Sequence, residues 1–186
     1  VRIPGWVRGS VVPSDLYSYS DAEQLSYTIS VNGETLTTPI NAQGYVPISR
    51  KWKKGDVVRI HFDMKPRTVT ASQKVTDDRG RVAVERGPLV YCAEATDNAG
   101  LSTRSVLLPR HIQFQELPAS PIQNTEGDGQ TFHVTKLTTV AQTVSLNAEG
   151  KLTTGETKLT LIPYYAWNHR GTTSMDVWLA QSIAAL

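Results

Sequence analysis

Apolar and polar residues alternate with a period of two along much of this chain. In Ser26–Val31, Tyr27, Ile29 and Val31 are separated by Thr28 and Ser30, a spacing that sends successive side chains to opposite faces of a strand. Asn32-Gly33 follows at once. Both residues tolerate positive φ, so the pair predicts a type I′ hairpin turn. Val58, Ile60, Phe62 and Met64 alternate with Arg59, His61 and Asp63, introduced by Lys54-Gly55-Asp56 and closed by Pro66. A turn at Asp77-Asp78-Arg79-Gly80 leads into a strand over Arg81–Glu85. Past Gly87-Pro88 comes another over Leu89–Ala93.

Beyond Glu94 the pattern loosens. The polar stretch Thr96–Ser105, with Asn98-Ala99-Gly100, reads as a link between two units. An extended segment over Val106–Leu117 and a loop over Pro118–Gly129 follow. Further strands are predicted at Phe132–Leu137, Thr143–Leu146, Lys158–Ile162 and Met175–Leu179, with a turn at Asn168-His169-Arg170-Gly171. No stretch carries a capped apolar stripe of period 3.6, and no internal repeat of fixed period is visible. Short strands with frequent turns predict an all-β chain. The expectation is two tandem antiparallel β-sandwich domains with little helix, residues 1–96 and 97–186.

Composition narrows the functional classes. The chain has 186 residues, a net charge of +2 and 39% hydrophobic residues, which suits one large or two small packed units. Near-neutral charge argues against a nucleic-acid partner. Arg50-Lys51-Trp52-Lys53-Lys54 resembles an aromatic-basic binding run, but it is short and runs straight into a turn, so it reads as a solvated strand end. No apolar run approaches the ~20 residues of a membrane-spanning helix. Cys92 is the single cysteine and sits in the apolar run Leu89–Ala93, so an inert buried thiol is expected, with no intrachain disulfide. The opening Val1-Arg2-Ile3-Pro4 reads as mid-strand, the expectation being a piece of a longer protein.

Candidate chemistry is sparse. Glycoside hydrolysis needs a pair of carboxylates, and the candidates are Asp56, Asp63, Asp77, Asp78 and Glu85. Asp56, Asp77 and Asp78 lie in predicted turns, where Asp bonds its own backbone. Asp63 and Glu85 fall on polar sides of their strands. His61, His111, His133 and His169 lack the paired spacing of a metal motif. Gly127-Asp128-Gly129 lacks the strand, helix and third glycine of a nucleotide loop. No catalytic, cofactor-binding or metal-binding residue is therefore assigned. Trp6, Trp52, Trp167 and Trp178, with Tyr17, Tyr19, Tyr164 and Tyr165, leave two readings open: core or interdomain packing, or platforms on which sugar rings stack.

Taken in order, several segments resemble one family. They are Arg2-Ile3-Pro4-Gly5-Trp6, Pro13-Ser14-Asp15-Leu16-Tyr17, Val31-Asn32-Gly33, the run Gly44 to Asp56, Gly80 to Cys92, Leu161 to Gly171, and Met175-Asp176-Val177-Trp178. This series resembles the C-terminal part of the β-L-arabinofuranosidase family of glycoside hydrolases, family 127 and its relatives. The resemblance is weakest between Asp97 and Ala141. It implies an N-terminal (α/α)6 barrel as partner, followed by two β-sandwiches. It also places the family's acid/base Glu, its Cys nucleophile and its cysteine-rich zinc site in that barrel, none of them on residues present here. Cys92 matches no catalytic cysteine of the family. The expected role is a non-catalytic accessory region of a retaining hydrolase, packing between domains, with a homodimer contact or a weak carbohydrate contact as further expectations. Plant-polysaccharide substrates favour a periplasmic or secreted bacterial setting, with a cytoplasmic one as the alternative. An independent carbohydrate-binding module is the alternative, and a self-sufficient enzyme built on Glu85 or Asp63 is the third.

Overall fold

The computed structural model describes residues 1–99 and 101–186; Gly100 of the expected link lies outside the described residues. The chain is all-β, with only three-residue 3-10 turns among the described residues besides strands. After β1 (Tyr17–Tyr19), three strands form a small open sheet: β2 (Tyr27–Val31), β3 (Glu34–Thr35) and β4 (Val58–Phe62), in the order β3-β2-β4. Asn32 (φ 52°) and Gly33 (φ 90°) make the predicted turn between β2 and β3. Ile29 opposes Ile60 and Val31 opposes Val58, so the apolar sets of β2 and β4 share one face. Ile3, Val7, Leu25 and Val46 pack on that face around Ile29 and reach Phe62 at the end of β4.

The rest of the chain closes on itself. Its strands are β5 (Pro66–Ala71), β6 (Arg81–Arg86), β7 (Leu89–Glu94), β8 (Val106–Leu107), β9 (Gln115–Glu116), β10 (Ser120–Gln123), β11 (Thr131–Val134), β12 (Leu137–Leu146), β13 (Leu152–Pro163), β14 (Met175–Asp176) and β15 (Leu179–Ala180). Hydrogen bonding runs β6-β15-β8-β12-β13-β7 and returns from β7 to β6, a ring of six strands with no free edge inside it. The single β15–β8 bridge, Ala180 to Leu107, is parallel. Alternation decides which residues fill the interior. Val82 and Val84 of β6, Tyr91 and Ala93 of β7, and Leu159 and Leu161 of β13 all point inward and are buried. Full burial of each leucine contributes roughly 1.5–3 kcal/mol. Tyr91 reaches out of this core to donate its hydroxyl to Thr135 O at 2.8 Å; burial pushes its pKa up to about 12.

Several local expectations differ from the structure. Pro66 does not close β4. It opens β5 opposite Arg86, a first-strand position where the missing N–H costs little. The predicted loop Pro118–Gly129 contains β10, which pairs with β11 and lays Ile122 and Val134 over the outer side of β7 and β13. Thr143–Leu146 and Lys158–Ile162 are the ends of one long ladder running from Leu137 opposite Leu161 to Leu146 opposite Leu152. The expected join near residue 96 lies within the ring, because β7 pairs with β13. The hydrogen bonding instead separates open sheet from ring near Lys65, with β1 crossing over to pair with β5.

Candidate functional site

The outer side of β1, β5 and β6 carries a second apolar layer, built from Tyr19, Val69 and Ala83 with Trp6, Val11, Tyr17, Val177 and Trp178 packed against them. It frames a groove of about 230 Å³ lined by Val11, Val12, Tyr17, Val69, Ala83, Glu85, Val90, Val177 and Trp178. The polar side expected for Glu85 is thus an apolar-lined face. Burial raises the Glu85 carboxyl above its ordinary value, against the weaker opposing effects of the Tyr19 hydroxyl and Arg67. Tyr19 donates to Glu85 Oε2 at 2.8 Å, and its own pKa is raised by burial first and by that carboxylate second. Arg67 lies 3.5 Å over the Tyr19 ring. The guanidinium is buried, pairs with Asp21 at 2.6 Å, and donates to the carbonyls of Glu23 and Trp6. These bonds fasten the N-terminal segment onto β5.

The other candidate carboxylates have local partners. Asp56 accepts from the Asn32 amide and the Lys53 N–H, both at 2.9 Å, and these bonds hold its carboxyl below the usual range. Asp77 and Asp78 sit in a 3-10 turn over Thr76–Asp78. Burial and then the Asp77 charge push Asp78 up. Half-buried Asp63 stands 3.5 Å from His61. His133 lies on the exposed side of β11, and the His169 ring packs 4.8 Å from Phe132. His111 lies exposed beyond β8. No three of His, Cys, Asp or Glu gather as a metal site among the described residues. Cys92 is buried against Ile122, Val134, Ile162 and Ala166, and desolvation pushes its thiol to about 12, which keeps it protonated and inert. Trp6, Trp167 and Trp178 pack in three of the apolar clusters. Trp52 is 52% exposed under the Arg50 guanidinium. Tyr164 and Tyr165 are also exposed.

The segment read as a link contributes Asp97 and Asn98 to a charged cluster that the sequence pattern did not reveal. Glu94 is fully buried and bonds Arg170, and the Asn168 N–H donates to it at 3.1 Å. Arg170 also bonds Asp97, which receives Lys136 at 2.7 Å. Burial alone would raise Asp97, but Arg170 and Lys136 outweigh it and hold the carboxyl low. Asn98 completes the clamp, donating to the carbonyls of Glu94 and Thr160. Among these residues only Arg170 and Asn98 stood in short motifs singled out in the sequence. Arg67, Asp21, Glu94, Asp97 and Lys136 gave no signal, because their partners lie 39 to 76 residues away.

Comparison with known proteins matches this architecture. Residues 1–64 match the model of the β-L-arabinofuranosidase GH127 middle domain, and residues 66–180 that of the glycoside hydrolase family 127 C-terminal domain. The change of model falls where the open sheet gives way to the ring. A non-reducing end β-L-arabinofuranosidase of Bifidobacterium longum subsp. longum is 30% identical over 196 residues, covering 96% of this chain and 25% of the relative. A solved family 127 β-arabinofuranosidase is 51% identical, with a TM-score of 0.86 over 99% of this chain and 27% of that one. A family 127 β-L-arabinofuranosidase of Geobacillus stearothermophilus is 29% identical, with a TM-score of 0.70 over 96% of this chain and 25% of its own. The chain thus spans about a quarter of the length of these relatives. It belongs to glycoside hydrolase family 127, of which it comprises the middle and C-terminal domains.

Proposed function

We propose that this chain is the non-catalytic accessory region of a larger hydrolase that cleaves β-L-arabinofuranosidic bonds with retention. On this reading catalysis belongs to an N-terminal (α/α)6 barrel, and the groove over Trp178 and Val90 receives an apolar face of that barrel. The observation that carries the reading is the groove itself: a valine- and aromatic-lined trough on a chain a quarter as long as its relatives. Apolar surface of this kind marks an interaction face. Its companion is the Arg67 anchor, which holds the groove's N-terminal wall in place. The projecting ends of β12 and β13, with Leu146 and Leu152 exposed, would suit a homodimer contact.

The test is hydrolysis of a chromogenic β-L-arabinofuranoside by this chain and by the same chain joined to its upstream sequence. Activity confined to the longer protein is expected, and Val90→Asp in that protein should lower activity and thermal stability together. Activity in the short chain would overturn the reading. A carbohydrate-binding module is the second reading, favoured by exposed Tyr164 and Tyr165 on the turn beside Trp167. Calorimetric titration of the chain with arabinose-containing oligosaccharides separates the two.

A further inference from the structure

A separate cavity of about 270 Å³ opens beside the ring, lined by Arg81, Thr103, Arg104, Asp176 and Trp178 together with small and apolar residues. Arg81 begins β6, Thr103 and Arg104 belong to a 3-10 turn before β8, and Asp176 ends β14. We propose that this cavity binds a single sugar ring bearing a carboxylate, a uronic acid in chemical class.

Three features select that ligand. Neither Arg81 nor Arg104 has a hydrogen-bond or ion-pair partner among the described residues, unlike Arg67, Arg86 and Arg170. Two guanidiniums and one carboxylate line the cavity, with Asp78 beside Arg81 within range of its charge, and an unbonded guanidinium fork matches a carboxylate by paired N–H···O bonds. Second, Asp176 already accepts the Thr103 hydroxyl, which fixes its orientation and leaves lone pairs for sugar hydroxyls. Its negative charge also disfavours a doubly charged phosphate. Third, Trp178 borders the cavity, and its ring is held in place by Tyr17 at 5.6 Å and 30°. An aromatic border offers the apolar face of a sugar ring a surface to pack on. The volume sits near the ~300 Å³ lower end for small-molecule sites, which limits the ligand to about one ring.

The experiment is calorimetric titration of the full-length protein with D-galacturonate, D-galactose, acetate and inorganic phosphate. Galacturonate should bind with a Kd on the order of 1 mM, with the other three at least about tenfold weaker. Arg104→Gln, on an exposed turn, should weaken galacturonate binding about tenfold without altering thermal unfolding, and Arg81→Gln should do the same. Absence of galacturonate binding overturns the proposal. So does equal binding of acetate or phosphate, which would leave only an anion site, or binding indifferent to both arginine changes, which would place the ligand elsewhere. None of these outcomes depends on whether the parent cleaves arabinofuranosides.

Discussion

Ile29 and Ile60 face each other across one ladder, yet the first is 2% exposed and the second 41%. The open sheet has one neighbour to cover it. The segment around Ile3, Val7 and Val46 shields β2 and meets β4 only at its end, at Phe62, so the edge strand keeps Val58 and Ile60 in view. In the ring, by contrast, Val84, Leu159 and Leu161 are covered by strands of the same closed ladder and are inaccessible. Closure supplies both the missing hydrogen bonds and the opposite wall of the core. An open sheet of three short strands must borrow its wall from a neighbour. The ring therefore covers its own core, and the open sheet is the half that leaves Val58 and Ile60 of its edge strand exposed.

The largest test of this contrast removes the clamp at the ring's rim. Arg170→Ala leaves Glu94 buried without its cation and should cost roughly 3–5 kcal/mol in denaturant unfolding; a loss below about 1 kcal/mol would show the clamp to be solvated and the ring independent of it. Next, Leu159→Ala opens a cavity in the ring interior and should cost about 2–5 kcal/mol. The sharpest comparison lies inside the open sheet: Ile29→Ala should cost about 2–4 kcal/mol, while Ile60→Ala, half in water, should cost under about 1 kcal/mol. Equal losses for the two would mean that β4 is covered after all.

A smaller effect is expected at Gly33, whose φ of 90° penalises any Cβ although the space around it is open. Gly33→Ala should cost about 1 kcal/mol through backbone strain alone, and a neutral result would show that the hairpin turn can relax. The last test concerns the groove. The folded Glu85 pKa lies above its ordinary 4.5, so the group favours folding below that pH and loses the contribution as pH rises through its raised value. Glu85→Gln cannot ionise. Its stability relative to the unmodified chain should therefore improve from pH 4 to pH 7, as followed by thermal melts, and a constant difference across that window would mean that Glu85 is well solvated.

Residues with local causes were legible in the sequence. Asn32-Gly33 announced its turn because positive φ is a property of those two residues alone. Alternation announced β2 and β4 because pleating has a fixed period of two, and the turns at Asp77–Gly80 and Gly87-Pro88 announced β6 and β7. Cys92 in an apolar run read correctly as a buried thiol. β5 went unread: its Pro66-Arg67-Thr68 start shows little apolar alternation, and its partners β1 and β6 lie on either side of it. The apparent link over Thr96–Ser105 was polar for a reason other than solvent, since Asp97 and Asn98 are satisfied internally.

The sequence by itself determined that this chain is all-β, where most of its turns fall, and that its segments follow the order of family 127. Each of those depends on neighbouring side chains or on a succession of short motifs. Only the tertiary structure decided that β7 returns to both β6 and β13 to seal a ring. It alone joined Arg170 to Glu94 across 76 residues and Arg67 to Asp21 across 46, and it alone set Arg81, Arg104 and Trp178 around one cavity. Such pairings depend on which surfaces meet once the strands close, and the buried charges they create are tolerable only because the closed fold supplies each with its partner.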